Sequence, residues 1–139
     1  MSGRYTISMK RADFLAAARG RQVEKQGFIL QSIRRMPEPT EADALAPRFG
    51  FTISRRVGNA VVRNRIRRRL REAVRAAATG RANGGSDYVL IARRAALDLP
   101  FARLISDLAD GIDRIERGEG TTGRHPRQRS GGRADAGRQ

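Results

Sequence analysis

The spacing of apolar and polar residues changes several times along this chain, and each change predicts an element. Residues 10–20 (KRADFLAAARG) are Ala-rich and run into Gly20, which predicts a short helix. Residues 26–35 (QGFILQSIRR) read as a strand, with Phe28 and Leu30 on one face and Ile29, Gln31 and Ile33 on the other. Residues 47–55 (PRFGFTISR) alternate: Phe49, Phe51 and Ile53 point one way, Arg48, Gly50, Thr52 and Ser54 the other. Gly58-Asn59 then opens a long helix over about 59–78, stopped by Gly80. Residues 86–92 (SDYVLIA) form an apolar run suited to a buried central strand. Asp98 and Pro100 mark the start of a last helix that reaches about residue 117. The order predicts an α+β chain, a two-layer α/β sandwich on one small central sheet.

Two stretches fall outside this pattern. Residues 36–47 (MPEPTEADALAP) carry three acids, three Pro and no base, and read as an acidic loop. Residues 117–139 hold six Arg and six Gly with almost no apolar side chains. That composition does not offset the entropy of ordering, so a disordered basic tail is expected. The remainder, residues 1–116, is expected to be a single domain, the natural prior for 139 residues.

Composition narrows the chemistry. The chain has no Cys and one His, His125, which lies in the expected tail. Thiol nucleophiles, Cys-based zinc sites and disulfide scaffolds are excluded. No run approaches the ~18 apolar residues of a membrane helix, and no signal-peptide core follows Met1. A cytoplasmic protein without membrane attachment is expected. Lys and Arg total 29 against 14 acids, a net charge of +15, and 27 of the 29 are Arg. Such a field points to a polyanion, and the planar guanidinium fork suits phosphate and bases.

The charge is concentrated. Residues 55–75 hold nine Arg and one acid, Glu72. On a period of about 3.6 residues, Val62, Ile66, Leu70, Ala73, Val74 and Ala77 form one stripe. Asn64, Arg67, Arg68, Arg71 and Arg75 lie opposite; Arg63 and Arg69 flank the stripe. Arg63, Arg67, Arg71 and Arg75 form an i, i+4 ladder of like charge, costing roughly 0.2–0.5 kcal/mol per pair in a free helix. Glu72 offers one intrahelical partner, near Arg68. A solvated face usually mixes signs, so an uncompensated ladder implies an anionic partner with repeating charge. Asn64 can donate and accept, fitting a base edge or 2′-hydroxyl, and is equally compatible with a plain surface position. On the last helix, Asp107, Asp110 and Asp113 recur with Arg103 and Arg114 at i, i+4 distance, a solvated face rather than a carboxylate site.

The run RFGFTISRRVGNAVVRNRIRRRLREA strongly resembles the signature of the bacterial ribonuclease P protein subunit. The matching elements are Ser54-Arg55-Arg56, Gly58-Asn59-Ala60-Val61 and Arg63-Asn64-Arg65. Lys10-Arg11-Ala12-Asp13-Phe14 is similar to that family's first helix, Ser86 to Arg93 to its next strand, and residues 99–115 to its last helix. The resemblance covers about residues 7–116. It implies a ribosomal protein S5 domain 2-like fold, with the arginine helix in a left-handed crossover. It also implies that a large RNA removes the 5′ leader of precursor tRNA using Mg²⁺, the ion being bound through the RNA and not by the protein alone. The protein would contribute no catalytic side chain and require no protein partner. Its implied partners are the ribonuclease P RNA and precursor tRNA. Arg55, Arg56, Asn59, Arg63, Asn64, Arg65, Arg67, Arg68 and Arg71 would face RNA. Arg11, Phe14, Gln31, Thr52 and Ser54 would line a cleft for the single-stranded leader. Ala18 and Gln31 stand where the family often has an aromatic, which implies weaker or more polar leader contacts. For Phe14, core packing and a cleft role are equally compatible with the sequence. A ribosomal or ribosome-assembly RNA-binding protein, and a DNA-binding architectural protein, share the same composition.

Overall fold

The structure is a computed structural model that describes residues 9–35, 46–78, 80–82 and 84–122. Helix α1 (Arg11–Ala17) is followed by strands β1 (Arg21–Glu24), β2 (Phe28–Arg34) and β3 (Arg48–Thr52). A 3-10 turn, Arg55–Val57, leads into α2 (Ala60–Ala77). Then come β4 (Ser86–Ala92), a second 3-10 turn (Arg94–Leu97), α3 (Phe101–Glu116) and β5 (Thr121–Thr122). The five strands form one sheet in the order β3-β4-β2-β1-β5. β3 and β4 run parallel, which requires the crossover that α2 supplies; the other pairs are antiparallel. The expected α+β sandwich is thus present, and β4 lies inside the sheet between β3 and β2.

The two faces of the sheet follow the alternation in the sequence. Phe28, Leu30, Phe49, Tyr88 and Leu90 are wholly buried beneath Ile66, Leu70 and Val74 of α2 and Leu104, Leu108 and Ile112 of α3. The Phe49 and Tyr88 rings stack with centroids 5.0 Å apart, an arrangement favoured by offset aromatic quadrupoles. On the opposite face α1 lies across part of the sheet. Gly50 of β3 lets it approach, because a Cβ there would sit 2.6 Å from Cζ of Phe14.

Several boundaries differ from expectation. Helix α1 ends at Ala17, and Gly20 has another duty: a Cβ there would lie 1.8 Å from the Ser32 carbonyl oxygen. That close approach starts β1, which the sequence pattern does not reveal because Val23 is its one apolar residue. The first residues of the expected tail, 117–122, have defined structure. Gly118 and Gly120 take positive φ, and Thr121–Thr122 pair with β1 at Gln22 and Arg21. Residues 123–139 lie outside the described residues. So does most of the acidic loop, residues 36–45; Arg35, just before it, ties its far end to β4, with Nη2 donating to the Ala46 carbonyl at 2.9 Å and Nη1 to Ser86 O and Asp87 Oδ1. Among the described residues no helix is long and apolar enough to cross a membrane.

Candidate nucleic-acid interface

Helix α2 starts at Asn59, whose Oδ1 accepts from the Val62 N–H at 3.0 Å. An Asn in this position satisfies an otherwise orphan donor. Asn59 therefore acts as a cap as well as standing in the candidate surface. Ile66, Leu70, Ala73, Val74 and Ala77 are buried and Val62 is half-buried, as the stripe predicts.

The arginines opposite do not form one uniform set. Arg63 Nε donates to Gly58 O at 3.1 Å, and a guanidinium nitrogen of Arg69 donates to Leu99 O. Both therefore help to hold the fold. Arg69 is also incompletely satisfied, its Nε being buried without a partner. Arg75 pairs with Glu72 at 3.1 Å. The one acid of the helix thus serves Arg75 and not Arg68, an order with the acid N-terminal to the base, which suits the helix dipole. Arg67 Nη1 donates to Asn64 Oδ1 at 3.0 Å, so Asn64 orients an arginine. Arg65, Arg68 and Arg71 are exposed and have no intramolecular partner among the described residues, as do Arg55 and Arg56 in the preceding turn. Five guanidiniums, all in the turn and on α2, are thus left for an external anion.

The open face of the sheet lies beside α1. Successive cross-strand neighbours run Gln22, Gln31, Val89, Gly50 in one row and Ile29, Ile91, Thr52 in the next. Phe14 is half-buried and rests on Gly50, away from the core face; Thr52, Ser54 and Arg11 are exposed. Gln31 is largely buried, its Nε2 donating to Gln22 Oε1 at 3.3 Å. Gln31 and Thr52 thus lie on this open face with Phe14 over Gly50 at its α1 side, while Ser54 follows at the exit from β3. The surface is a shallow apolar floor of Ile29 and Ile91 edged by amides and a hydroxyl.

What fixes α1 over this face is an ionic chain. Asp87 is almost fully buried in β4. It receives Arg48 through two contacts, Nε at 2.8 Å and Nη2 at 2.7 Å, and Arg35 at 2.7 Å. Arg48 also reaches Asp13 of α1 at 3.2 Å, and Asp13 accepts from the Lys10 N–H at 2.8 Å. The Lys10 N–H and then the Arg48 charge hold the Asp13 carboxyl below its ordinary range, and Asp87 raises Arg48. The pattern reading missed this chain. The available signal was Asp87 itself, an acid inside an otherwise apolar strand, which requires a buried cation.

Among the described residues no three His, Cys, Asp or Glu side chains gather as metal ligands. Asp107, Asp110 and Asp113 are taken up in ion pairs with Arg103, Lys25 and Arg81.

The family model for ribonuclease P matches residues 6–116. The chain belongs to the ribonuclease P protein family. The ribonuclease P protein component of Paramagnetospirillum magneticum is 44% identical over 116 residues, covering 83% of this chain and 86% of the relative. That of Bartonella quintana is 47% identical over 103 residues, covering 74% and 77%. The fold matches the RNase P protein of Staphylococcus aureus with a TM-score of 0.60 at 26% identity, over 78% of this chain and 93% of that one. The Thermotoga maritima RNase P protein shares the fold, with a TM-score of 0.62 at 24% identity over 78% and 96%. A ribonuclease P protein therefore presents here one arginine-bearing helix and one open sheet face, joined by the turn at Arg55–Val57.

Proposed function

We propose that this chain is the RNA-binding protein subunit of ribonuclease P, and that it assists removal of the 5′ leader from precursor tRNA. Family membership supports the assembly. The observation that carries the RNA contact is the set of unpaired arginines Arg55, Arg56, Arg65, Arg68 and Arg71, which the fold itself does not use. Arg67, oriented by Asn64, joins them; Arg63 and Asn59 add to the surface while holding the start of α2. These residues contact phosphates of the catalytic RNA, since guanidinium forks pair with phosphate at repeating spacing.

The open face takes the single-stranded leader. Phe14 offers a ring for one base, and stacking is worth about 1–3 kcal/mol. Arg11 provides charge for the backbone, and Gln31, Thr52 and Ser54 provide hydrogen bonds. One aromatic among polar groups gives a weaker, more polar grip than a row of rings. Mg²⁺ and the hydrolysis belong to the RNA.

A competition experiment separates this reading from the alternatives. Labelled ribonuclease P RNA from the same organism is bound by the full chain and competed with ribosomal RNA or duplex DNA. Selective retention of ribonuclease P RNA is expected. Equal competition by ribosomal RNA would favour a ribosomal role, and by duplex DNA an architectural one.

A further inference from the structure

A second basic feature lies at the other side of the sheet, away from the open face. On the helix-covered face, α3 ends at Glu116 beside a concavity at the start of β1 and β4 and the end of β2. There Arg21 stands directly opposite Ser32, and Ser86 directly opposite Arg34. Ser32 and Arg34 are two apart in β2, so all four side chains share one face. They line a concavity of ≈ 310 Å³ with Gly20, Ile33, Ile115 and Glu116.

The donors in this concavity are uncommitted. Arg21 and Arg34 are exposed and unpartnered among the described residues. Ser32 and Ser86 are buried residues that line the concavity, and among the described residues their hydroxyls have no hydrogen-bond partner. The one acid at the rim, Glu116, accepts the Tyr88 hydroxyl at 2.5 Å. A neighbouring concavity lined by Gly80, Arg81, Asp113, Glu116 and Arg117 lacks this property, because Arg81 is paired with Asp113 and Arg117 with Glu119. Two free guanidiniums over two free hydroxyls form a donor set matched to a tetrahedral oxyanion.

We propose that Arg21, Ser32, Arg34 and Ser86 form a second phosphate-binding site, which takes a backbone phosphate of RNA at a point separate from the arginine helix and the open sheet face. The proposal rests on the RNA-binding reading above. Arg19 is also exposed, in the turn before Gly20, and adds charge nearby. Two separate phosphate-binding points, one on α2 and one beside the end of α3, let one small protein hold two RNA segments in fixed relation.

The test measures binding of the full chain to ribonuclease P RNA over a series of salt concentrations, with thermal melts of each variant. Arg21→Gln with Arg34→Gln should weaken binding roughly tenfold or more and lower the salt slope by about 0.7–0.9, with an unchanged melt. Ser32→Ala with Ser86→Ala keeps the net charge and should still weaken binding by about two- to tenfold. Loss in the arginine pair without loss in the serine pair would indicate diffuse attraction and overturn a built site. No loss in either pair, while Arg67→Glu with Arg68→Glu weakens binding, overturns the site alone. A wild-type chain that binds no RNA overturns the functional reading as well.

Discussion

At the scale of single residues, neighbouring arginines on one helix have different duties, and the difference is measurable. Arg69 is half-buried and caps the Leu99 carbonyl, whereas Arg68 is exposed and unpaired. Arg69→Ala should cost about 1–3 kcal/mol through the orphaned carbonyl, read as a lower melting temperature. Arg68→Ala should leave the melt within about 0.5 kcal/mol and weaken RNA binding. Equal melts for the two would refute the division. Asp13 supplies a pH test. Its folded pKa is depressed, so its contribution is complete above the unfolded value near 3.8 and is lost as pH falls through the lower folded value. The melting difference between wild type and Asp13→Asn should therefore shrink on acidification below about pH 4. A constant difference would contradict the ion pairs described for Asp13.

At the scale of elements, the strongly periodic pieces were legible in the sequence and the short ones were not. The stripe Ile66, Leu70, Ala73, Val74, Ala77 could be read because burial and helical period agree. The alternation Phe49, Gly50, Phe51, Thr52 assigned both faces of β3 for the same reason. β1 escaped because its pairing energy comes from β2 and from the approach at Gly20, neither of which is local in sequence. β5 escaped because Thr121–Thr122 bury nothing and are held by edge pairing. In the candidate site, the positions of Phe14, Gln31 and Thr52 on one face followed from strand alternation and resemblance. The chain Asp13, Arg48, Asp87 and Arg35 did not, because its members come from four elements or their edges. That chain predicts a coupling between elements. Asp87→Ala removes the buried anion that Arg35 and Arg48 share and should cost about 3–5 kcal/mol. Gly50→Ala should displace Phe14 and α1 at a cost of about 1–3 kcal/mol, read as a lower melt together with weaker binding of leader-bearing tRNA. A Gly50→Ala chain with native leader affinity would show that α1 does not form part of the leader surface.

At the scale of the whole molecule, the described fold extends to β5, which pairs at the sheet edge without joining the core. Removing residues 123–139 should preserve a cooperative melt at the wild-type temperature. Removing residues 118–139 also takes away β5 and the Arg117–Glu119 pair, and should lower the melting temperature slightly. Identical melts for the two truncations would show that the fifth strand is not part of the folded unit. The charge is also unevenly placed. Unpaired arginines gather on α2 and the preceding turn, a second candidate phosphate site lies beside the end of α3, and Asp107, Asp110 and Asp113 are held in ion pairs.

The most direct test is reconstitution of cleavage. Precursor tRNA is mixed with ribonuclease P RNA from the same organism at low Mg²⁺, with and without the full chain, and 5′ leader release is followed. The account predicts clearly faster release with the chain present, and loss of that gain for Arg65→Glu, Arg68→Glu and Arg71→Glu combined in a protein that melts normally. Release no faster than that by the RNA alone, or undiminished by the triple substitution, would contradict it.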